Sequence, residues 1–253
     1  MRLFALIAAI LCMAGSKVRF EKIKLEQKNQ IVVVQGDTAH CIYSTSLHFF
    51  KCAKRFDDSI NTFSISATLN TDIEQEKPLD KTYFEDLINQ NWKKFNGEFG
   101  MINMELGSAK ATDYEKVSHS KLYYQSKKTL SIGLHNHYFT GGEHGFDYST
   151  FGVFQKNSGK RYEWTDLTND ADSLTIIGRN IYINYQVKER NLPMAMAGIF
   201  PNGSFYLSDN YYLAKDFIHF YYNTYEIGPY INGPTTISIP MEEAKIFLKT
   251  ELL

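Results

Sequence analysis

Charge of one sign is what this sequence most conspicuously lacks: 27 Lys+Arg stand against 28 Asp+Glu, a net charge of −1. Nucleic-acid binding needs a concentrated basic surface, so no such partner is expected. Proline and tryptophan are scarce, with six and two residues. Beyond the first residues no apolar run approaches the roughly 20 residues that span a bilayer, so no transmembrane span is expected in the mature chain. Catalytic signatures are missing too. There is no G-x-S-x-G elbow, no cysteine in a catalytic pattern, no H-E-x-x-H pair and no glycine-rich phosphate loop opening a helix. No enzyme class is therefore indicated, and no cofactor is implied.

What is present describes a folded chain. Hydrophobic residues make up 43% and charged residues 22% of the 253 positions, an ordinary globular balance for one large domain or two small ones closely fused. Seventeen Tyr and eighteen Phe favour many half-buried strands, because rings pack well on a pleated surface. The first sixteen residues have the order of an export signal: Arg2, an apolar run from Leu3 to Ala14, then the small residues Ala14, Gly15 and Ser16. A periplasmic or secreted protein is expected. Cys12 would be the lipid-bearing residue of an anchored form, but bulky Leu11 before it fits such a site poorly. Removal of the leader leaves Cys41 and Cys52. In an oxidising compartment, across a hairpin with strands near residues 31–43 and 47–53, these two would form a disulfide; otherwise they are free thiols.

The periodicity predicts an α+β fold, mainly antiparallel sheet with about three helices packed against it. Period-2 strands are expected at Ile31–Val34, at Phe63–Leu69, in a hairpin over Lys121–Thr140 turning at Ser126–Lys128, and at Tyr148–Phe154. Asn202-Gly203 predicts a further hairpin between Ala197–Phe200 and Ser204–Leu207. Phe217–Tyr222 and Thr236–Ile239 complete the set. Helical spacing marks Phe84, Leu87, Ile88, Trp92 and Phe95 behind a capping box of Thr82 and Glu85. A second helix carries Leu174, Ile177, Ile181 and Tyr185 behind Asp172 or Ser173. A third starts at Pro240 with Glu242 and Glu243 in its first turn.

Two stretches could carry function. The first runs from His135 to Gly145, where His135, His137, Glu143 and His144 could ligate a metal. The simpler reading makes Gly141, Gly142 and Gly145 a loop of unusual backbone angles, with His144 holding it by hydrogen bonds. The second is Tyr225-Glu226-Ile227-Gly228-Pro229-Tyr230-Ile231-Asn232-Gly233-Pro234. Its glycines and prolines forbid regular structure, so it is a rigid loop displaying aromatic rings, either for recognition or as a cover for a sheet end.

The same two stretches carry a resemblance. Gly141-Gly142-Glu143-His144-Gly145, then Ser158-Gly159-Lys160 and Trp164-Thr165-Asp166-Leu167, and finally Tyr225–Gly233 with Ile239-Pro240 resemble a bacterial extracytoplasmic domain family. That family includes the ectodomain of the anti-sigma-V factor (RsiV) and a region preceding some peptidoglycan deacetylase domains. Gly228 and Met241 depart from its pattern. The likeness covers Lys121–Leu253 well and the N-terminal half weakly; with the signal peptide at 1–16 this gives an N-terminal region at 17–120 and an RsiV-like region at 121–253, expected to form one compact unit. It implies a binding module, with lysozyme or another cell-wall-active protein as partner. By position it assigns partner contacts to Tyr225, Glu226, Pro229 and Tyr230. The alternatives are a metal-dependent envelope enzyme using His135, His137 and His144, and a structural envelope component.

Overall fold

The computed structural model describes residues 18–32, 37–51, 54–73, 79–105, 111–191, 193, 200 and 203–249. The leader with Cys12, the cysteine at 52, and residues 197–199 and 201–202 of the expected Asn-Gly hairpin lie outside the described residues. Among the described residues no helix is long and apolar enough to cross a membrane. The fold is α+β, with a six-stranded sheet and a three-stranded sheet, the strands of each lying side by side in chain order. The described chain divides into two units: Val18–Lys121 with Leu134–Thr150, and Leu122–Gly133 with the residues from Phe151 onward. Strands β3 (Tyr114–Gln125), β4 (Thr129–Phe139) and β5 (Phe146–Gln155) each begin in one unit and end in the other.

In the first unit, β1 (Phe20–Val32) and β2 (Thr38–Phe50) pair antiparallel along their whole length, from Phe20↔Phe50 to Val32↔Thr38. β2 then runs parallel to β3, from Cys41↔Tyr114 to Ser46↔His119. A parallel neighbour requires a long crossover, and α1 (Lys54–Leu69) with α2 (Lys81–Gly100) supplies it. Alternate residues of β2, from Ala39 through Cys41, Tyr43, Thr45 and Leu47 to Phe49, are buried. Tyr43 packs on Trp92 and Phe95, and Phe49 packs edge-on against Phe84, so α2 covers this face.

Three expectations for this unit are corrected. Residues 63–69 belong to α1, not to a strand. Among its described side chains the buried positions are Ile60, Asn61, Ser64, Ile65 and Thr68. Three of these five are polar, which hid the helical period and left an accidental alternation of apolar residues. Cys41 does not sit opposite a returning strand, because residues 38–50 form one strand without a turn. From Cys41 to Phe50 an extended chain covers on the order of 30 Å. The Cys41 thiol is free and buried, and burial raises its pKa to about 11. The cap of α2 is Asp80, whose side chain accepts from Tyr83 N at 2.8 Å, in place of Thr82. Phe84, Ile88, Phe95 and Phe99 form its buried stripe.

In the second unit the hairpin turn at 126–128 closes with Ser126 N donating to Thr129 O at 3.0 Å. β5 pairs antiparallel with β6 (Arg161–Tyr162). β7 (Tyr211–Leu213), β8 (Phe217–Tyr222) and β9 (Thr235–Pro240) form the small antiparallel sheet. α3 (Ala171–Lys188) is capped by Asp170, which accepts from Ser173 N, two positions before the expected Asp172 and three before Ser173. It buries Leu174, Gly178, Tyr182 and Gln186 at every fourth position, where a side chain at Gly178 would strike Leu207. Ile177 and Ile181 flank that stripe, and Tyr185 is exposed. α4 (Met241–Ala244) is a single turn behind Pro240. Residues 204–207 form no strand. The Tyr222 hydroxyl, donating to Tyr206 O and accepting from Ser208 N, ties the segment down in place of a ladder.

Candidate functional site

The most unusual group in the first unit is Lys116. It stands on β3 beside Tyr43 of β2 in the parallel register and shares the face of Tyr114, Ser118 and Ser120, all buried. Only 2% of it is exposed. Its Nζ donates to Asn91 Oδ1 at 2.7 Å and lies 4.6 Å from the centre of the Tyr138 ring and 5.6 Å from that of Tyr43. Asn91 Oδ1 accepts from the Tyr43 hydroxyl as well, at 3.0 Å. Burial disfavours the ammonium and lowers the Lys116 pKa to about 7. Burial likewise raises the Tyr43 and Tyr138 phenols above their ordinary range.

Lys116 lines a cavity of about 410 Å³. Phe95 from α2, Tyr138 from β4, and Phe146 and Tyr148 from β5 give it aromatic walls. Asn70, Asn91, Lys94 and Glu98 add polar groups. The end of α1 shapes one side. Asn70 takes a left-handed conformation (φ 53°), and Thr71 N reaches back to Ser66 O at 3.2 Å, the pattern that closes helix ends. The last carbonyls find partners on the sheet: Ala67 O accepts from Tyr148 and Asn136, and Thr68 O from Tyr138. Tyr138 and Tyr148 stand stacked, 9° from parallel.

Sequence reasoning missed Lys116. Tyr114-Glu115-Lys116-Val117 places a lysine on one parity and a valine on the other, and nothing local says that the lysine faces in. The register Tyr43↔Lys116 and the cover of α2 decide it.

The histidine stretch does not converge. His135 Nδ1 lies 2.8 Å from Ser149 Oγ, and its ring stacks on His119 at 4.9 Å. Burial, then the His119 ring and Lys121, lower its pKa to about 4. His137, two residues on, pairs with Asp147 at 2.8 Å. His144 is exposed with Nδ1 3.0 Å from Gly145 O, and Glu143 is exposed in the same loop. Among the described residues no group of three or more His, Cys, Asp or Glu could hold a metal ion. Gly141 and Gly142 have φ of 88° and 101°. A side chain at Gly145 would collide with the His137 ring.

In the second unit the Tyr225–Gly233 loop projects its side chains. Ile231 is 90% exposed, Tyr225 58% and Tyr230 40%. The two tyrosine rings pair at 5.7 Å. Pro229 precedes a short 3-10 turn, Tyr230–Asn232, ended by Gly233 at φ 63°. Tyr225 itself has φ 74°, a strained angle for a residue with a side chain. Glu226 turns back on its own loop, accepting from Asn223 N at 2.9 Å. Arg190 binds Asn232 from the end of α3. Ile227 anchors the loop in the core.

Known proteins match the chain at the level of fold. A structure from Bacteroides fragilis, described as a member of the DUF3298 family, superposes with a TM-score of 0.68 at 21% identity, covering 94% of this chain and 95% of that one. A DUF3298 family protein from Pseudomonas aeruginosa superposes with a TM-score of 0.60 at 16% identity, covering 94% and 97%. No curated protein matches the sequence. Residues 165–242, which contain the aromatic loop, match the model of a protein family of unknown function, DUF3298.

Proposed function

We propose that this chain is an exported, non-enzymatic binding module that recognises a protein partner through the Tyr225–Gly233 loop, with lysozyme or another cell-wall-active protein as the partner. The observation that carries this reading is the paired display of Tyr225 and Tyr230 beside the almost fully exposed Ile231 on a braced loop. Rigid aromatic side chains give large contact area at a low entropic cost, and such residues dominate protein interfaces. The strain at Tyr225 supports the same reading, because a conformation that costs of the order of 1–3 kcal/mol persists where the surroundings impose it, often at binding sites. Glu226 serves as the brace of the loop. Lysozyme enters through the resemblance of the motif residues to the RsiV ectodomain, and export through the order of residues 1–16.

Calorimetry against chicken-type, goose-type and invertebrate-type lysozymes tests the partner. Binding to one of them, weakened by about 1–3 kcal/mol on Tyr230→Ala, is the expected result. Silence across the panel removes lysozyme, and unchanged affinity in Tyr230→Ala removes the loop. Export is read separately, from the mature N-terminus of protein made in a bacterial host. A chain still beginning at Met1 contradicts it.

A further inference from the structure

A buried ammonium calls for a counter-charge, and Lys116 meets none among the described residues. Its hydrogen-bond partner is the neutral oxygen of Asn91, and its other close neighbours are the faces of two tyrosine rings. Leaving an amine there without function is unfavourable, since burying charge costs far more than burying an apolar side chain of the same size. Beside it lies a cavity of about 410 Å³, within the range of roughly 300–1,000 Å³ typical of small-molecule pockets. Its walls combine the rings of Phe95, Phe146 and Tyr148 with a second lysine, Lys94. Glu98 in the lining opposes a second negative charge on any occupant.

We propose that this cavity binds a small monoanion with an aromatic or apolar body, in the simplest case a carboxylate, whose charge sits at Lys116 Nζ. The body of the ligand lies against the rings, and the anion supplies the counter-charge that the described residues do not. The site is independent of the Tyr225–Gly233 loop and stands or falls separately from it.

The titratable groups beside Lys116 are Tyr43 from β2 and Tyr138 from β4, while Tyr148 from β5 and Lys94 and Glu98 from α2 line the same cavity. Burial raises all three phenols, so they stay protonated. In the empty site Lys116 loses its proton near pH 7, so a ligand that requires the ammonium binds with proton uptake above that pH. Its affinity then falls on the order of a hundredfold between pH 6 and pH 9.

Titration calorimetry of the full chain with benzoate at pH 6, 7.5 and 9, and with benzamide as the uncharged control, tests the site. Benzoate is expected to bind at pH 6 and to weaken steeply by pH 9, with benzamide at least tenfold weaker throughout. Lys116→Met should abolish benzoate binding. Lys116→Arg, which cannot deprotonate in this range, should flatten the pH dependence. In the unsubstituted protein, saturating benzoate should move the Lys116 titration upward by NMR, a readout that no folding defect can imitate. Equal affinity for benzamide, undiminished binding by Lys116→Met, or failure of benzoate, phenylacetate and octanoate alike to bind below about 1 mM overturns the proposal.

Discussion

Replacing Lys116 by methionine should stabilise this protein, and by an amount that depends on pH. The ordinary lysine pKa is 10.5, and in the fold it is lowered to about 7. The sign follows from proton counting. Between pH 7 and 10.5 the unfolded chain holds the Lys116 proton and the folded chain does not, so stability rises with pH through that window. Below pH 7 both states are protonated and the full cost is present. Each pH unit between the two pKa values is worth about 1.4 kcal/mol, so the cost at pH 6 is roughly 4–5 kcal/mol as an upper figure. Methionine keeps the stem volume and removes the charge. It forfeits the bond to Asn91 Oδ1, about 1 kcal/mol, although that oxygen keeps the Tyr43 hydroxyl. A net gain of about 2–4 kcal/mol at pH 6 should shrink toward zero or below at pH 10.5. Urea denaturation of the two proteins at pH 6, 8 and 10 measures it. A variant less stable at pH 6, or a difference that does not change with pH, refutes the picture of an uncompensated buried amine.

Asn61→Ala should be costly. Asn61 is fully buried, and its side chain accepts from Phe50 N and donates to Phe50 O; losing both partners predicts about 2–4 kcal/mol of destabilisation, and less than about 1 kcal/mol by urea denaturation contradicts it. His135 resists protonation down to about pH 4, so it contributes a loss of stability as pH falls from 6.5 toward 4. His135→Gln should flatten that decline in melting curves taken from pH 7 to 4.5, and by NMR the His135 ring of the unsubstituted protein should titrate below pH 5. Tyr225→Gly should leave stability unchanged or raise it by about 1 kcal/mol, because glycine accepts the positive φ without strain, while lowering affinity for the protein partner. A fall of more than about 1 kcal/mol in thermal or urea stability would mean that the ring is structural.

Some elements were legible because both local signals agreed. The hairpin turning at Ser126–Lys128 and the strand at 236–239 alternate apolar and polar residues, and the strand at 217–222 is rich in aromatic residues. The helix from Lys81 onward was legible from its aromatic stripe, but its cap is Asp80 and not the expected Thr82, as the hydrogen bond from Tyr83 N shows. Alternation misled where polar residues face inward, as Asn61, Ser64 and Thr68 do in α1. Asn202-Gly203 signalled a turn, and Gly203 N does donate to Phe200 O, but the following strand was replaced by tyrosine hydroxyl bonds that no local rule encodes.

The candidate sites divide in the same way. The Tyr225–Gly233 loop is written in its own glycines and prolines, because those residues restrict the backbone wherever they occur. That its rings are exposed, and that Glu226 braces the loop, depended on the core beneath Ile227. The histidines at 135, 137 and 144 are neighbours in sequence, yet strand geometry and the glycine loop send them to different partners. Lys116 shows the converse: an unremarkable letter in a strand becomes a perturbed amine only when parallel pairing sets it beside Tyr43 and α2 closes over it. Period and turn chemistry are properties of a few adjacent residues and can be read from the sequence. Burial of a charge is a property of everything packed around it, which only the tertiary structure decides.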